Sequence, residues 1–350
     1  MRQIPTLSVI IVNHNGYEYL QACIQSIQKS LSWNDLEIII VDNGSNKDPA
    51  KIQSNLVIKN KITLISLDQN YGPAYARNQG VAQARGKYLA FLDNDTQVHS
   101  KWAQEAIKYF DKNPKAGVIQ CKLLLASDHT KLDYVGEYLG TNGFLVQECK
   151  AGDKDQGQFE TVKQILAAKS AGMFIRKDTF DKAGGFDNDY FIYVEETDLG
   201  WRSWLVGYQA IYLPTSIVYH HFGTSTVILG LDKASSLAKY HGPKNYITTL
   251  IKNFGTKNLF TIVPVHIFLW FGLAFYRLIS GKPSDFLLII RGIIWPFTHL
   301  NQVLTKRKAI QSKRVISDKK LFQSLMVKRS FVYYLKKGTR NQKVGNSKSF

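Results

Sequence analysis

The stretch YLAFLDNDTQV, residues 88–98, joins a short apolar run to an acidic end. The run is followed directly by Asp93, Asn94 and Asp95. An apolar run of this length, bounded by polar residues, predicts a buried strand. Because Asp and Asn favour turns, the acidic end fits a plain turn. It also fits a site for a hard cation, which needs oxygen ligands and often carries the phosphates of a nucleotide.

Three earlier stretches have the same near-continuous apolar character. Helical spacing follows the first of them over residues 17–28, and a Gly/Pro loop leads from the third into another helical segment. Apolar strands that alternate with helices are typical of a mostly parallel sheet covered on both faces, so the sequence predicts an α/β fold. The three stretches are LSVIIV (7–12), LEIIIV (36–41) and ITLISL (62–67).

Polar residues or glycine follow all four predicted strands. The carboxyl ends of parallel strands meet at one edge of a sheet, where ligands of such folds bind. Four polar ends at one edge therefore favour a functional site over four separate turns. The residues concerned are Asn13 and Asn15, Asp42, Gly72, and Asp93 with Asp95.

A second acidic group lies in GGFDNDYFIYVEETDLGWR, residues 184–202. Glu195, Glu196 and Asp198 open a predicted helix, where acids favour the positive helix end. Three acids directly after an aromatic run exceed that need, and a partly desolvated carboxylate suits a general base. Further on, His220 and His221 end another short strand, and adjacent strand residues point to opposite faces. At most one of these histidines is therefore expected to face the site.

The positive charge is concentrated at the C-terminal end. The chain of 350 residues has a formal net charge of +18, and residues 301–350 contain 14 Lys and Arg against the single acid Asp318, a net +13. The remaining 300 residues are nearly balanced. A basic tail can meet phosphates on nucleic acid or on lipid headgroups. A nucleic-acid module would leave the four polar strand ends without a role, so we expect no nucleic-acid partner.

Two apolar segments precede the basic end. LFTIVPVHIFLWFGLAFY (259–276) has 18 residues and FLLIIRGIIWPF (286–297) has 12, with Arg291 near its middle. A bilayer-spanning helix needs roughly 20 mainly apolar residues, so the first is marginal and the second is too short. The turn-like residues 280–285 between them predict a helical hairpin. With the basic tail it favours an anionic membrane surface, and two core helices of an accessory subdomain are the alternative.

Taken together, these residues resemble the family 2 glycosyltransferases, which have the GT-A fold. SVIIVNHNG, IIIVDNGS and NYGPAYARNQG are similar to the first three motifs of that family, and FLDND is similar to its D-x-D motif. The segment 184–202 resembles the G-G-F-D-E-x-F-F-x-Y-x-E-D-x-D-L segment, and YHHFGTS the histidine motif after it. The resemblance covers about residues 5–230. KRKAIQSKR and the apolar segments before it resemble the rhamnosyltransferase-like branch.

The resemblance implies a role for each residue in the donor site. Asp42 would accept a hydrogen bond from the nucleotide base, with Arg77 nearby. Asp93 would contact the ribose or a metal-bound water. Asp95 would ligate Mg²⁺ or Mn²⁺ at the diphosphate, with His220 as a further ligand or diphosphate contact. The remaining residues of the nucleotide-sugar site would be Asn13, Asn15 and Gly72.

The same resemblance implies a catalytic base in the segment 184–202. Glu196 stands where the family has the Asp of its E-D pair, so its side chain is one methylene longer than usual. Glu195 is the alternative base, and Asp198 belongs to the same catalytic group.

The implied activity is that of a metal-dependent, inverting glycosyltransferase. It would move a sugar from a nucleotide-diphosphate sugar, such as dTDP-rhamnose or a UDP-sugar, to a hydroxyl of a glycan or lipid-linked glycan in cell-surface polysaccharide synthesis. A polyprenyl-phosphate glycosyltransferase and a nucleotidyltransferase are alternatives. The latter would need a Gly-rich basic loop after the first strand, where this chain has NHNG.

Three regions are expected along the chain. Residues 1–230 would form the GT-A catalytic domain, residues 231–300 an apolar helical hairpin region associated with the membrane, and residues 301–350 the basic tail. The protein would be cytoplasmic, and peripheral or re-entrant at the inner face of the cell membrane.

Overall fold

The computed structural model describes residues 5–30, 35–46, 62–221, 223 and 230–329. The strands are β1 (Leu7–Asn13), β2 (Leu36–Asn43), β3 (Ile62–Leu67), β4 (Tyr88–Asp93), β5 (Thr96–Val98), β6 (Ala116–Leu125), β7 (Asp128–Tyr134), β8 (Glu137–Gly140), β9 (Leu145–Gln147), β10 (Lys163–Ile165), β11 (Met173–Arg176), β12 (Gln209–His220) and β13 (Met326–Val327). The helices are α1 (Tyr17–Gln28), α2 (Pro73–Gln83), α3 (Trp102–Lys112), α4 (Lys177–Ala183), α5 (Glu195–Leu205), α6 (Leu231–Asn253), α7 (Thr256–Ile279), α8 (Pro283–Thr298), α9 (Leu300–Ser312) and α10 (Asp318–Leu325).

The four predicted strands form a parallel unit within a large central sheet, in which β6 and β12 are a further parallel pair. β1 lies between β2 and β4, β3 pairs with β2, and all three of these pairings are parallel. The sheet has the order β10-β12-β6-β11-β4-β1-β2-β3, in which β11 runs antiparallel to both of its neighbours. The prediction of a mostly parallel α/β sheet is confirmed.

Both faces of this sheet are covered, which explains the near-continuous apolar strands. On β1, Ile10 packs into one core cluster, and Val9 and Ile11 pack into the other. The first cluster includes Ala74 of α2, and the second includes Leu20 of α1. Alternation of side chains along a strand sends successive residues to opposite layers, so every position of β1 meets a helix or strand layer.

One strand pairing brings distant parts of the chain to the same sheet edge. β5, which begins directly after Asp95, pairs antiparallel with the end of β12, and His220 lies opposite Thr96. The acidic end of β4 and the histidine at the end of β12 therefore meet, although they are more than 120 residues apart in the sequence.

The C-terminal helices pack against this body. The predicted hairpin is present as α7 and α8, with α8 lying against α6. By length and composition alone, α7 can cross a membrane, and 17% of its most apolar window is buried. The pair α8 and α9, bent by 65°, passes the same test when it is taken as one span.

The described part of the predicted basic tail is folded onto the body. Arg307 of α9 donates from Nη1 to the carbonyl oxygens of Ile251 at 2.5 Å and Phe254 at 2.6 Å, at the end of α6. Strand β13 pairs in parallel with β8. Residues 330–350 of the predicted tail lie outside the described residues.

Candidate active site

Asp93, Asp95 and His220 form one compact cluster at the carboxyl edge of the sheet. One potential ligand atom from each residue lies within 4.8 Å of the others. Asp95 Oδ1 is buried and accepts no hydrogen bond from the described residues, and its distance to His220 Nε2 is 3.5 Å. A buried carboxylate oxygen is costly unless a positive charge offsets it, and protonated His220 or a bound cation can supply that charge. Two carboxylates and an imidazole are ligands that Mg²⁺ or Mn²⁺ accepts, so the residues fit a divalent cation.

The protonation of this cluster is set by burial and by charge. Burial raises the pKa of Asp93, and Asp95 adds to the rise, although Arg77 and His220 oppose it. Burial alone would lower the pKa of His220, but the carboxylates of Asp133 and Asp95 outweigh it and raise that pKa to about 10. A metal ion would bind the neutral form of the ring, so cation binding at His220 would be favoured by higher pH.

Asp133, at the end of β7, contacts the ring nitrogen of His220 that faces away from Asp95. No pattern in the sequence predicts this residue. Its Oδ2 lies 2.8 Å from His220 Nδ1, and its side chain is 1% exposed. A carboxylate on one ring nitrogen fixes the tautomer and directs the other nitrogen to the metal. His221 lies elsewhere, with its ring 5.3 Å from that of Tyr19.

Arg77 connects the cation cluster to the second acidic group. Its Nη1 lies 3.0 Å from Glu195 Oε1 and its Nη2 lies 3.4 Å from Asp93 Oδ1. The same guanidinium donates to the hydroxyl of Ser170, another residue that sequence reasoning missed. Arg77 is expected near the nucleotide base from the sequence, whereas in the structure its ion pairs join the two acidic groups.

The two adjacent glutamates differ in exposure and in partners. The side chain of Glu195 is 4% exposed and bound by Arg77, and burial, with the charge of Glu196, raises its pKa to about 7. The side chain of Glu196 is 21% exposed, and its Oε1 accepts a hydrogen bond of 2.7 Å from the Ser170 amide and lies 3.7 Å from Arg77 Nη2. Tyr193 and Val194, directly before α5, have positive φ angles of 71° and 69°. Such a conformation is strained for a β-branched residue such as Val194.

Asp198, which the sequence groups with Glu195 and Glu196, has its contacts away from the cation cluster. Its carboxylate is fully buried and is bound by Arg202 Nε at 2.8 Å, Lys252 Nζ at 3.1 Å and Asn253 Nδ2 at 3.0 Å. These contacts join α5 to α6. Asp198 is therefore a buried residue whose carboxylate is held by partners on α5 and α6.

Asp42 and Asn13 lie side by side at the ends of β2 and β1. Asp42 Oδ1 accepts hydrogen bonds from Asn13 Nδ2 at 2.8 Å, Tyr17 OH at 3.0 Å and Ser45 Oγ at 2.6 Å. Among the described residues, Asp42 Oδ2 accepts one hydrogen bond, of 3.3 Å, from the Ser45 amide. This oxygen can therefore accept a further hydrogen bond from a ligand.

Asn15 and Gly72 shape the neighbouring cavity. The cavity has a volume of about 440 Å³ and is lined by Asn15 together with Phe191 and Lys233, among others. Gly72 has φ of +84°, and a Cβ there would lie 2.2 Å from the carbonyl oxygen of Phe191. Only glycine fits this close approach.

The sheet and its acidic edge define a GT-A fold, and solved structures agree. The mannosyltransferase PcManGT from Pyrobaculum calidifontis, in complex with GDP-Man and Mn²⁺, is similar with a TM-score of 0.53 at 14% identity, over 88% of this chain and 86% of that one. TarS 1–349 of S. aureus also has a TM-score of 0.53, at 15% identity over 88% and 89%. At these identities the likeness shows the fold.

Residues 8–132 match the family described as Glycosyl transferase family 2. Glycosyltransferase AglE of Haloferax volcanii is 28% identical over 191 residues, 53% of this chain and 57% of that protein. The poly-beta-1,6-N-acetyl-D-glucosamine synthase of Staphylococcus epidermidis is 24% identical over 220 residues, 62% of this chain and 50% of that protein. The chain thus spans about half the length of these two relatives.

Proposed function

We propose that this chain is a metal-dependent, inverting glycosyltransferase that uses a nucleotide-diphosphate sugar. The observation that carries the proposal is the cluster of Asp93, Asp95 and His220, linked through Arg77 to the pair Glu195 and Glu196. One acidic group for a cation and a second for a proton, on either side of a shared cationic side chain, is what such a transfer requires.

In the proposed reaction the acceptor hydroxyl attacks the anomeric carbon. The new C–O bond forms as the bond from that carbon to the diphosphate oxygen breaks, and the leaving diphosphate keeps the electron pair. Asp95 and His220 would hold Mg²⁺ or Mn²⁺, which offsets the charge on the diphosphate. Asp93 would contact the ribose or a water of the cation shell.

Glu196 is the proposed base, because its partly exposed carboxylate can reach an acceptor. It takes the hydroxyl proton during the attack. Glu195 is the alternative: a pKa near 7 suits a general base, but its carboxylate is buried against Arg77. Asp42, Asn13, Asn15 and Gly72 would surround the nucleotide.

We propose the donor and the acceptor as chemical classes. Solved relatives in fold contain UDP or GDP-Man, which supports a nucleotide-diphosphate sugar as the donor. The similarity of the C-terminal segments to the rhamnosyltransferase-like branch favours dTDP-rhamnose beside UDP-sugars. The acceptor is a glycan or lipid-linked glycan of a cell-surface polysaccharide, and relatives named for O-antigen biosynthesis and teichuronic acid biosynthesis support this. A polyprenyl phosphate as acceptor remains the alternative.

We further propose that the protein works at the cytoplasmic face of the membrane. Large apolar side chains of α7 are exposed, among them Phe260 at 72%, Phe268 at 74% and Ile279 at 82%. An exposed apolar patch of this kind is typical of a membrane or partner surface. The catalytic domain (1–230), the apolar hairpin region (231–300) and the basic region (301–350) would be its three parts.

The proposal is tested by metal-dependent donor binding and turnover. A panel of UDP-, dTDP- and GDP-sugars is screened by thermal shift with Mn²⁺ and with EDTA, because a ligand that binds the native state raises its apparent stability. The cognate donor should then be hydrolysed or transferred only with metal. Asp95→Ala should lose both the Mn²⁺-dependent shift and turnover, whereas Asp181→Ala, which removes an exposed carboxylate paired with Lys177 on α4, should keep both. Full activity of Asp95→Ala in EDTA would refute the proposal.

A further inference from the structure

A second groove lies beside the cavity that contains Asn15 and Phe191. It has a volume of about 310 Å³ and is formed by one side of α6 and one side of α8. Lys233 and Leu237 line both the groove and the larger cavity, so the two are continuous along α6. The lining residues of the groove are Lys233, Ser236, Leu237, Tyr240, Leu288 and Arg291.

Among the described residues that line it, the groove has two cations and no acid. Arg291 is the one charged residue between Phe286 and Thr298 of α8, in a segment that is otherwise almost wholly apolar. Neither Arg291 nor Lys233 has an ion-pair partner among the residues that the structure describes. Asp285, the acid at the start of α8, is held by Lys239 at 2.6 Å. The two cationic side chains are thus available to an anion.

The walls of the groove are apolar, and they continue onto exposed apolar surface. Leu237 and Leu288 form part of the wall. On α8, Leu287 is 58% exposed and Ile294 is 46% exposed, and the exposed face of α7 follows. An anionic group at Lys233 and Arg291, with an apolar chain attached, matches this combination of charge and surface.

We propose that this groove binds the phosphate or diphosphate group of a lipid-linked acceptor. Arg291 and Lys233 donate to the phosphate oxygens, and the lipid chain leaves over Leu288 towards the exposed faces of α7 and α8. The glycan end then points along α6, past Lys233, to the edge of the cavity in which the donor would lie. This assignment rests on the proposed function, because it gives the acceptor of that reaction a place.

The test uses farnesyl diphosphate, a short and water-soluble lipid diphosphate, with the full chain in EDTA. EDTA keeps the diphosphate of the probe from being held by a cation at Asp95. Binding is measured by calorimetry for the unsubstituted chain, Arg291→Gln and Lys233→Gln. Arg277→Gln serves as the matched control, because Arg277 lies on α7 and does not line the groove.

We expect the probe to bind, and each groove variant to weaken binding by about tenfold or more, since a hydrogen bond to a charged group contributes about 1.5–3 kcal/mol. Arg277→Gln should bind like the unsubstituted chain. Equal binding by Arg291→Gln would overturn the assignment. So would equally tight binding of inorganic pyrophosphate, which would indicate a site for free phosphate, or of farnesol, which would indicate an apolar groove without anion recognition.

A last experiment measures binding of the chain to vesicles that contain phosphatidylglycerol. If Arg291→Gln loses vesicle binding while the unsubstituted chain does not bind farnesyl diphosphate, the groove contacts bulk lipid headgroups and the proposal is wrong. Donor binding by the unsubstituted chain is measured separately with UDP, dTDP and GDP in the presence of Mn²⁺. If none of the three nucleotides binds, the proposed function is refuted. If one of them binds but farnesyl diphosphate does not, only the groove assignment is refuted.

Discussion

The two glutamates that open α5 differ by one position and have very different surroundings. Glu195 is buried against Arg77, whereas Glu196 is 21% exposed and fixed by the Ser170 amide. We expect Glu196→Gln to lower turnover by roughly 10² to 10⁴, because the amide keeps the hydrogen bond but cannot take the acceptor proton. The KM for the donor should change little. Steady-state kinetics with varied donor and acceptor measure both constants.

Glu195→Gln is the matched variant for this prediction. It removes a buried negative charge beside Arg77, so a change in donor binding or in stability is expected in addition to any loss of rate. If Glu195→Gln is inactive and Glu196→Gln is fully active, the catalytic base is Glu195 and not Glu196.

Asp133 is expected to act on the metal through His220. Asp133→Asn keeps the size of the side chain but weakens the bond to Nδ1, so we expect Mn²⁺ affinity to fall by about 10- to 100-fold. Free Mn²⁺ is measured by electron paramagnetic resonance, and activity should recover at high Mn²⁺. Asp128→Asn, at a partly exposed position of the same strand, is the control and should bind Mn²⁺ normally. Unchanged Mn²⁺ affinity in Asp133→Asn would contradict this role.

Single residues were predictable from the sequence where a strand end or a helix start presents them. Asp93, Asp95 and Asp42 follow apolar strands, and that pattern is local. Asp133 is different, because its contact with His220 joins positions 87 residues apart and depends on how β7 packs. The partners of Asp198 are likewise not visible in local sequence: it lies three residues, about 4.5 Å, further along α5 than Glu195. Its contact with Lys252 joins positions 54 residues apart and depends on how α6 packs.

At the level of helices, Lys252 of α6 joins several elements through buried charges. Its Nζ lies 2.5 Å from Asp187 Oδ2 and 3.1 Å from Asp198 Oδ2, and the side chain is 1% exposed. Lys306 of α9 binds the same Asp187. Removing one partner of a buried ion pair leaves an uncompensated charge. We therefore expect Lys252→Met to lower the free energy of unfolding by about 3–5 kcal/mol in urea titrations.

Lys177→Met is the comparison for this prediction. It breaks the exposed pair with Asp181 on α4, and such pairs contribute about 0.3–0.5 kcal/mol. If the two variants lost the same stability, the buried network would not join α5, α6 and α9 in the way described here.

Whole elements were predictable where the pattern is continuous, and not where strands are short or polar. α1 runs over Tyr17–Gln28 and β3 over Ile62–Leu67, as the sequence predicts. β7, with the sequence DHTKLDY, has no apolar run, and β10 has three residues. Their places depend on pairing with β6 and β12, which is a long-range contact that local sequence does not encode.

On the scale of the whole molecule, the exposed face of α7 should bind a membrane. Burying a Phe or Ile side chain contributes about 1.5–3 kcal/mol relative to leaving it exposed. We expect the full chain to float with phosphatidylglycerol vesicles at low salt. The triple variant Phe260→Ser, Phe268→Ser and Ile279→Ser should remain largely unbound, because these are the most exposed large apolar residues of α7.

Substitutions are preferable here to removal of the C-terminal helices. Arg307 of α9 binds carbonyl groups at the end of α6, and β13 pairs with β8, so a truncation after residue 258 would uncover parts of the body and change its binding for unrelated reasons. Val315→Ser is the control, because Val315 is 71% exposed and lies outside α7. High salt separates the two forces, since it screens the attraction of basic residues to an anionic surface and leaves apolar insertion in place. Flotation of the triple variant to the same extent as the full chain at high salt would exclude α7 as the membrane contact.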